Sequence, residues 1–185
     1  MNNILKIVLA IVVLILAYFT YDTIAKPIRF QKEKKVRYAA VIKRLKDIRE
    51  AETTYKSVYG TYTGSFDTLL SFLKNDSLPL IKMVGQIPDE LLDSITEKQA
   101  VEMGIIVRDT AYIPVHDSIL QKTNIDSLPY IPYTNGVKFK LQAGKIEVSK
   151  TMQPVFECKD VKPFDPNQVL KVGSMVEVST SGNWE

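Results

Sequence analysis

The chain has one cysteine and one histidine in 185 residues, and that scarcity removes most routes to chemistry. A lone Cys158 cannot form an intramolecular disulfide, and it cannot supply a cysteine metal cluster. The one histidine, His116, is distant from it in sequence. Set in the alternating stretch Val155-Phe156-Glu157-Cys158, the cysteine reads as a small buried strand residue. The sequence also lacks a Gly-rich phosphate loop, a His-Glu-x-x-His pair and a Gly-x-Ser-x-Gly elbow. His116-Asp117-Ser118 contains triad residue types, but adjacent residues cannot point at one another as a triad requires. It reads as a polar turn after a strand. Asp89, Glu90 and Asp93 lack the loop spacing of an EF-hand and read as a solvated helix start. Asp109, His116 and Glu147 could act together only if the fold brought them to one pocket. The sequence therefore predicts a non-enzymatic protein, with no catalytic residue, cofactor, metal site or small-molecule substrate.

Charge is absent from one segment and of a single sign in the next. Ile7 to Phe19 are thirteen apolar or near-apolar residues without a charge. Nine Lys or Arg then fall between Lys26 and Lys46, opposed by Glu33 alone. From Asp47 onward, 14 basic residues face 19 acidic ones, a balance of −5. The basic character thus belongs to one short collar. A nucleic-acid reader would place cations and aromatics on one folded face, so nucleic acid is not an expected partner.

The apolar core can be stretched from Ile4 to Ile24, close to the roughly 20 residues that a spanning helix needs. Ile7, Leu9, Val12, Leu14, Leu16 and Phe19 are the expected membrane-anchor residues. Lys6 can snorkel at one end, and Tyr18, Phe19 and Tyr21 suit the interface at the other. The rival reading is a signal peptide with Ile7 to Ala17 as its apolar core and Thr23-Ile24-Ala25 as a poor cleavage site. Lys26, Arg29, Lys32, Lys34, Lys35 and Arg37 form the collar expected to face lipid. By the positive-inside rule it draws the C-terminal part into the cytoplasm. On that side it would bind anionic lipid with about 1 kcal/mol per basic residue near the surface.

Proline and glycine are missing from Phe30 to Tyr59. Tyr38, Val41, Leu45, Ile48, Ala51, Tyr55 and Val58 recur there at spacings of three and four, which predicts one apolar face on a long helix. Such a helix of thirty residues spans about 45 Å. Pro27 is expected to break or kink the helix that leaves the membrane, and Gly60 to cap the end. Ser65 looks like the N-cap of a second helix that buries Phe66, Leu69, Leu70 and Leu73. Asn75-Asp76 and Pro79 close it. Pro88-Asp89-Glu90 opens a third, packed through Leu91, Leu92, Ile95 and Val101 and ended by Gly104.

The period then changes. Ile105 to Val107 and Ala111 to Val115 read as β, and Tyr130 to Tyr133 as a proline-broken edge. Asn135-Gly136 is a hairpin signal. Val137, Phe139 and Leu141, then Ile146 and Val148, alternate on either side of a turn expected at Ala143-Gly144. Val155, Phe156 and Cys158 add a further strand, and Met175 to Val178 a candidate last one in a polar tail. Tyr55, Tyr59 and Tyr62 read as aromatics that pack the helix onto the sheet, with a partner contact as the rival reading. The expected organisation is an anchor at 1–25, a basic collar and amphipathic helix at 26–59, and an α+β domain at 60–185. About 150 residues outside the membrane suffice for one domain with a real core.

The stretch from Leu45 to Thr63 resembles the helix end of type IV pilin-like proteins and pseudopilins. In that family an apolar helix runs into an amphipathic one that ends with an alanine, a tyrosine and Gly-x-Tyr before a short Ser-started helix. Ala51, Tyr55, Gly60, Tyr62 and Ser65 match, and Pro27 looks like the family's helix-softening proline. The likeness covers residues 1 to about 73 by motif and the rest by architecture. Met1-Asn2-Asn3 offers no glycine-ended peptidase site, and no glutamate falls between Met1 and Tyr21, so it implies a pilin-like shape. It implies a structural or assembly protein in a bacterial inner membrane, crossing once, with its C-terminal domain in the periplasm. Tyr38, Val41, Leu45, Ile48, Ala51, Tyr55, Val58 and Tyr62 would serve packing and interface, and the partners would be lipid and a protein or a second copy. The alternative is a membrane-tethered adaptor whose collar binds anionic lipid and whose domain, facing the cytoplasm, binds another protein. The expected fold is α+β, with an N-terminal transmembrane helix continuing into a long amphipathic helix packed on a C-terminal antiparallel sheet.

Overall fold

A single helix, α1 (Asn3–Tyr59), runs for 57 residues, about 85 Å at 1.5 Å per residue. The computed structural model describes residues 3–85, 96–105, 107–120 and 124–185. The expected break at Pro27 does not occur, since the helix continues through it. A proline removes one backbone donor, and the rest of α1 has no glycine to weaken it further. Gly60 ends the helix in a left-handed conformation (φ 73°), its N–H donating to the Lys56 carbonyl at 2.8 Å.

α1 has two unlike halves. In the first, the large apolar side chains of Ile4 and from Ile7 through Phe30 to Val36 are exposed. In the second, Tyr38, Val41, Leu45, Ile48 and Ala51 are buried. The expected stripe frays at its end, with Tyr55 half-buried and Val58 exposed. Val58 is a correction: the rings of Tyr55 and Tyr59 meet Phe72 of the next helix, whereas Val58 is left exposed to solvent.

α2 (Phe66–Asn75) buries Leu69, Phe72 and Leu73. Ser65 is its N-cap residue, although its side chain makes no capping bond. A two-stranded antiparallel ribbon follows, β1 (Ser77–Val84) with β2 (Val107–Pro114). No sequence signal announces β1, because Pro79 lies inside it. Between the two strands lies α3 (Glu97–Glu102), capped by Thr96, whose hydroxyl accepts from Gln99 N–H. Most of the expected third helix, with Asp89, Glu90 and Asp93, falls outside the described residues. The polar turn expected after a strand at His116-Asp117-Ser118 follows β2 and is helical, within α4 (Val115–Ile119). Val115 ends no strand; it is buried at the first turn of α4.

The main sheet is antiparallel with order β3-β4-β5: β3 (Lys140–Val148), β4 (Thr151–Lys159) and β5 (Lys171–Gly173). Ala143-Gly144 does not turn the chain; it sits within β3, paired with Phe156 and Val155. The reversal is at Ser149-Lys150, both with positive φ (51° and 65°). Two such residues are what a tight hairpin twisted like its strands requires. Tyr130 to Tyr133 is not a strand beyond one bridge from Tyr130 to Lys138. Asn135-Gly136 instead lies in the turn that this bridge closes, with Ile131 N–H donating to the Val137 carbonyl. The last strand is β5, and Met175 to Val178 lies in the bend beyond it. At the end of β5, Gly173 has φ 75° and packs so closely that a Cβ would lie 2.2 Å from the Phe156 carbonyl oxygen.

The core forms where α1's stripe meets the sheet, with Phe156, Cys158, Leu170 and Val172 buried beside Leu45 and Ile48. Each fully buried large aliphatic or aromatic side chain contributes about 1.5–3 kcal/mol. The polar tail, which sequence pattern leaves as loop, is laid along α1. Asp165 pairs with Lys34 at 2.6 Å, the Gln168 carbonyl accepts from Tyr38 Oη at 2.7 Å, and Glu185 pairs with Arg49 at 2.8 Å.

Candidate functional site

Two surfaces of α1 are candidates for function: its apolar first half, and its basic side facing the 131–135 turn. The first half is long and apolar enough to cross a membrane. Ile7, Leu9, Val12, Leu14, Leu16 and Phe19 are all exposed. Exposure of a contiguous apolar surface this large marks a contact with lipid or protein. Thr20 and Thr23 donate their hydroxyls to the Leu16 and Phe19 carbonyls at 2.8 Å, so neither presents an unbonded donor to an apolar surrounding.

The collar divides into two groups. Arg29, Lys32 and Lys35 are exposed. Lys26 pairs with Asp22 at 2.5 Å within the helix. Lys34 and Arg37 belong to the folded domain. Lys34 forms a largely shielded pair with Asp165, which holds the Asp165 carboxyl below its ordinary range. Arg37 pairs with Glu33 at 2.6 Å, and its guanidinium lies 4.6 Å from the Phe164 ring and 5.7 Å from the Tyr133 ring. Phe164 also stacks on Phe30, with centroids 5.0 Å apart. The structure thus uses two of the six collar cations to fasten the tail onto the helix.

At the far end of α1, Tyr55 and Tyr59 lie 5.2 and 5.9 Å from Phe72 of α2. Tyr62 lies 4.7 Å from Phe156 of β4. The three tyrosines therefore serve packing, but two of them pack on a helix and only Tyr62 on the sheet.

Inside, Glu52 is fully buried on the face that carries Ile48 and Tyr55. One carboxyl oxygen accepts from Thr63 N–H at 3.0 Å, which ties the loop after α1 back to the helix. The other oxygen is buried with no hydrogen-bond partner among the described residues. Burial pushes the Glu52 pKa up to about 8. Burial, and then the Glu52, Asp160 and Glu157 charges, likewise raise the Cys158 thiol. A deeply buried, undissociated thiol is a poor nucleophile, in keeping with a strand residue in the core. His116 approaches only Asp117 at 3.1 Å among the described side-chain bonds, while Glu147 is exposed on β3. The Asp109 side chain lies outside the described ones. Among the described residues, no group of three or more His, Cys, Asp or Glu could hold a metal ion.

Two clefts open on the basic side of α1, separated by Pro132 and Tyr133. One, of about 340 Å³, is lined by Arg37, Tyr38, Asn135, Asp160 and Lys162. Asp160 is buried, and burial raises its pKa against the lowering effect of the Lys162 N–H bond. The other, of about 360 Å³, is lined by Lys43, Arg44, Asp47, Asn124 and Tyr133. Arg44 Nη1 is buried with no hydrogen-bond partner among the described residues, and burial lowers the guanidinium pKa. A buried donor without an acceptor costs about 1–3 kcal/mol.

No family model, no curated protein and no solved structure matches the chain.

Arg44, Glu52 and Tyr133 escape a reading by sequence for different reasons. Glu52 sits four residues after Ile48 and three before Tyr55, on the helical stripe itself, so its position could have shown its burial. Arg44 flanks the stripe beside Val41 and Ile48, and only the turn at 131–135 makes it a cleft wall. Tyr133 carries no pattern that announces its left-handed backbone, φ 61°.

Proposed function

We propose that this chain is a non-enzymatic, single-pass membrane-anchored protein of pilin-like shape, with a structural or assembly role in the bacterial cell envelope. The observation that carries the reading is the division of one unbroken helix. Its first half is an exposed apolar rod, and its second half is the buried spine of an α+β domain. Such a rod anchors the domain in lipid and can also pack beside another rod, so anchorage and lateral assembly come from the same element. The C-terminal domain is placed in the periplasm on the strength of the resemblance. Paired reporter fusions after Glu185 test this, one active only outside the inner membrane and one fluorescent only in the cytoplasm. The outside signal is the expected result. A cytoplasmic signal would remove the pilin-like reading.

The second reading, a membrane-tethered adaptor, is favoured by the exposure of Arg29, Lys32 and Lys35 just beyond the apolar run. These three are the cations to neutralise, since Lys34 and Arg37 hold the tail. Loss of flotation with anionic vesicles, by a chain starting at Ala25 that carries those changes, would support it. Equal flotation with and without them would remove it.

A further inference from the structure

The hairpin of β3 and β4 carries an inference that does not depend on α1 or on a membrane. Its turn, Ser149-Lys150, has positive φ at both residues (51° and 65°). Val148 and Thr151, which close it, are therefore a pair that exchange main-chain bonds in both directions. Antiparallel pairs alternate between bonded and non-bonded. Ile146 with Gln153 and Gly144 with Val155 are thus bonded pairs, while Glu147 with Met152 and Lys145 with Pro154 are not. The N–H and C=O groups of Lys145 and Glu147 point away from β4, to the outer edge of the hairpin. The same parity shows at Phe139, just before the strand, whose N–H donates to the Pro129 carbonyl at 2.8 Å.

That outer edge is closed along part of its length. Pro129 takes Phe139. Gly64, in the loop after α1, lies against Ala143, where a Cβ on the glycine would be 3.2 Å from the Ala143 nitrogen. Beyond Ala143, the outward main-chain groups of Lys145 and Glu147 meet no partner among the described residues. On β4 the opposite edge of the same ribbon is blunted by Pro154, which has no N–H to offer. Lys145 and Glu147 are both exposed and, two residues apart, project from one face of the strand, with Ile146 and Val148 on the other.

We propose that this open edge pairs with the same edge of a second copy of the chain, antiparallel about a two-fold axis at Ile146. The edge is complementary to itself in that register. Lys145 faces Glu147 of the partner subunit, and Glu147 faces the partner subunit's Lys145, so each of these pairs exchanges main-chain hydrogen bonds and sets opposite charges across the strands. On the other face the two Ile146 side chains meet, with the exposed Val148 of each copy beside them. An axis centred on Lys145 or on Glu147 would set like charges opposite each other, so the charge pattern selects Ile146. The pairing covers residues 144–148 only, because Gly64 closes the edge at Ala143. It is a weak, reversible contact beside the roughly 1,200–2,000 Å² of a stable interface.

The test uses the full chain in detergent micelles. Amide hydrogen exchange of the unaltered protein is expected to slow severalfold at Lys145 and Glu147 between about 10 μM and 1 mM protein. It should stay constant at Ile146, whose N–H is already bonded across the hairpin. Ile146→Cys is expected to form an intermolecular disulfide, since facing residues without mutual main-chain bonds lie about 4.5 Å apart between Cα atoms. The buried Cys158 does not compete. Val148→Cys, whose counterpart lies about 13 Å along the strand, should not cross-link. In the Ile146→Cys chain, Lys145→Glu or Glu147→Lys alone should lower cross-linking about fivefold or more, and the two together should restore it. Equal cross-linking at 146 and 148, no recovery in the double exchange, or amide exchange at Lys145 and Glu147 that ignores concentration overturns the proposal. Full protection of these two amides already at the lowest concentration would show that the chain covers its own edge, and overturns it as well.

Discussion

Glu52 is the residue whose behaviour the environment changes most. Its ordinary pKa is 4.5, and burial raises it to about 8 in the folded chain. A raised folded pKa means the folded state holds a proton that the unfolded state has released. Below about pH 4.5 both states are protonated and this site exacts no penalty. Between 4.5 and about 8 stability falls as pH rises, at up to about 1.4 kcal/mol per pH unit from this group. Glu52→Gln keeps an acceptor for Thr63 N–H and removes the titration. It should flatten that slope and leave the variant more stable than the parent at about pH 8.5, read from urea midpoints at about pH 5.5 and 8.5. A parent and variant that lose stability in parallel would show that Glu52 does not set the slope. Gly173 is the second decisive residue. A Cβ there would collide with the Phe156 carbonyl in a backbone conformation that L side chains resist. Gly173→Ala should cost about 2 kcal/mol or more, seen as a lower denaturation midpoint with an unchanged slope.

Among the elements, the helices were the legible part. A period of three and four over Tyr38 to Ala51 fixes which side of α1 faces the core, and the structure buries those residues. Two unlike sets of positions resisted reading. The turns were misplaced because positive φ at Ser149 and Lys150 has no glycine or asparagine to announce it, whereas Ala143-Gly144 looks like a turn yet pairs across the sheet. The ribbon strand β1 was missed because a proline at position 79 argues against strand, although an edge of a two-stranded ribbon tolerates it. The hairpin at Ser149-Lys150 offers a test. Ser149→Asn with Lys150→Gly supplies the residues that a two-residue hairpin favours. The pair should raise stability by about 1 kcal/mol, measured by thermal or urea unfolding. No gain would mean that the strands, and not the turn, hold the two positions in place.

For the whole molecule, the core cluster begins, among the described residues, at Tyr38. The folded domain therefore does not draw on the apolar run. A chain beginning at Ala25 should fold, with the same stability to within about 0.5 kcal/mol, and should lose its partition into detergent or vesicles. If the shortened chain unfolds, α1's first half is part of the domain and not an addition to it. The fold class was readable at this scale, since an apolar helix, an amphipathic helix and alternating strands each leave a period in the sequence. The candidate cleft was not, because its walls come from α1, the stretch at Asn124 and the turn at Tyr133. Nothing in the spacing of those residues says that they meet.

The bonds that lay the tail along α1 join residues as far as 130 and 136 positions apart. They have a meaning for time as well as for shape. A ribosome adding about 5–20 residues per second needs roughly 6 to 27 s to make that much chain. For most of that interval Leu45, Ile48 and their neighbours exist without the strands that cover them. The newborn chain is therefore most prone to aggregate midway through its own synthesis, and early capture of the leading helix by a bilayer would hold it apart from its siblings until the last strands arrive.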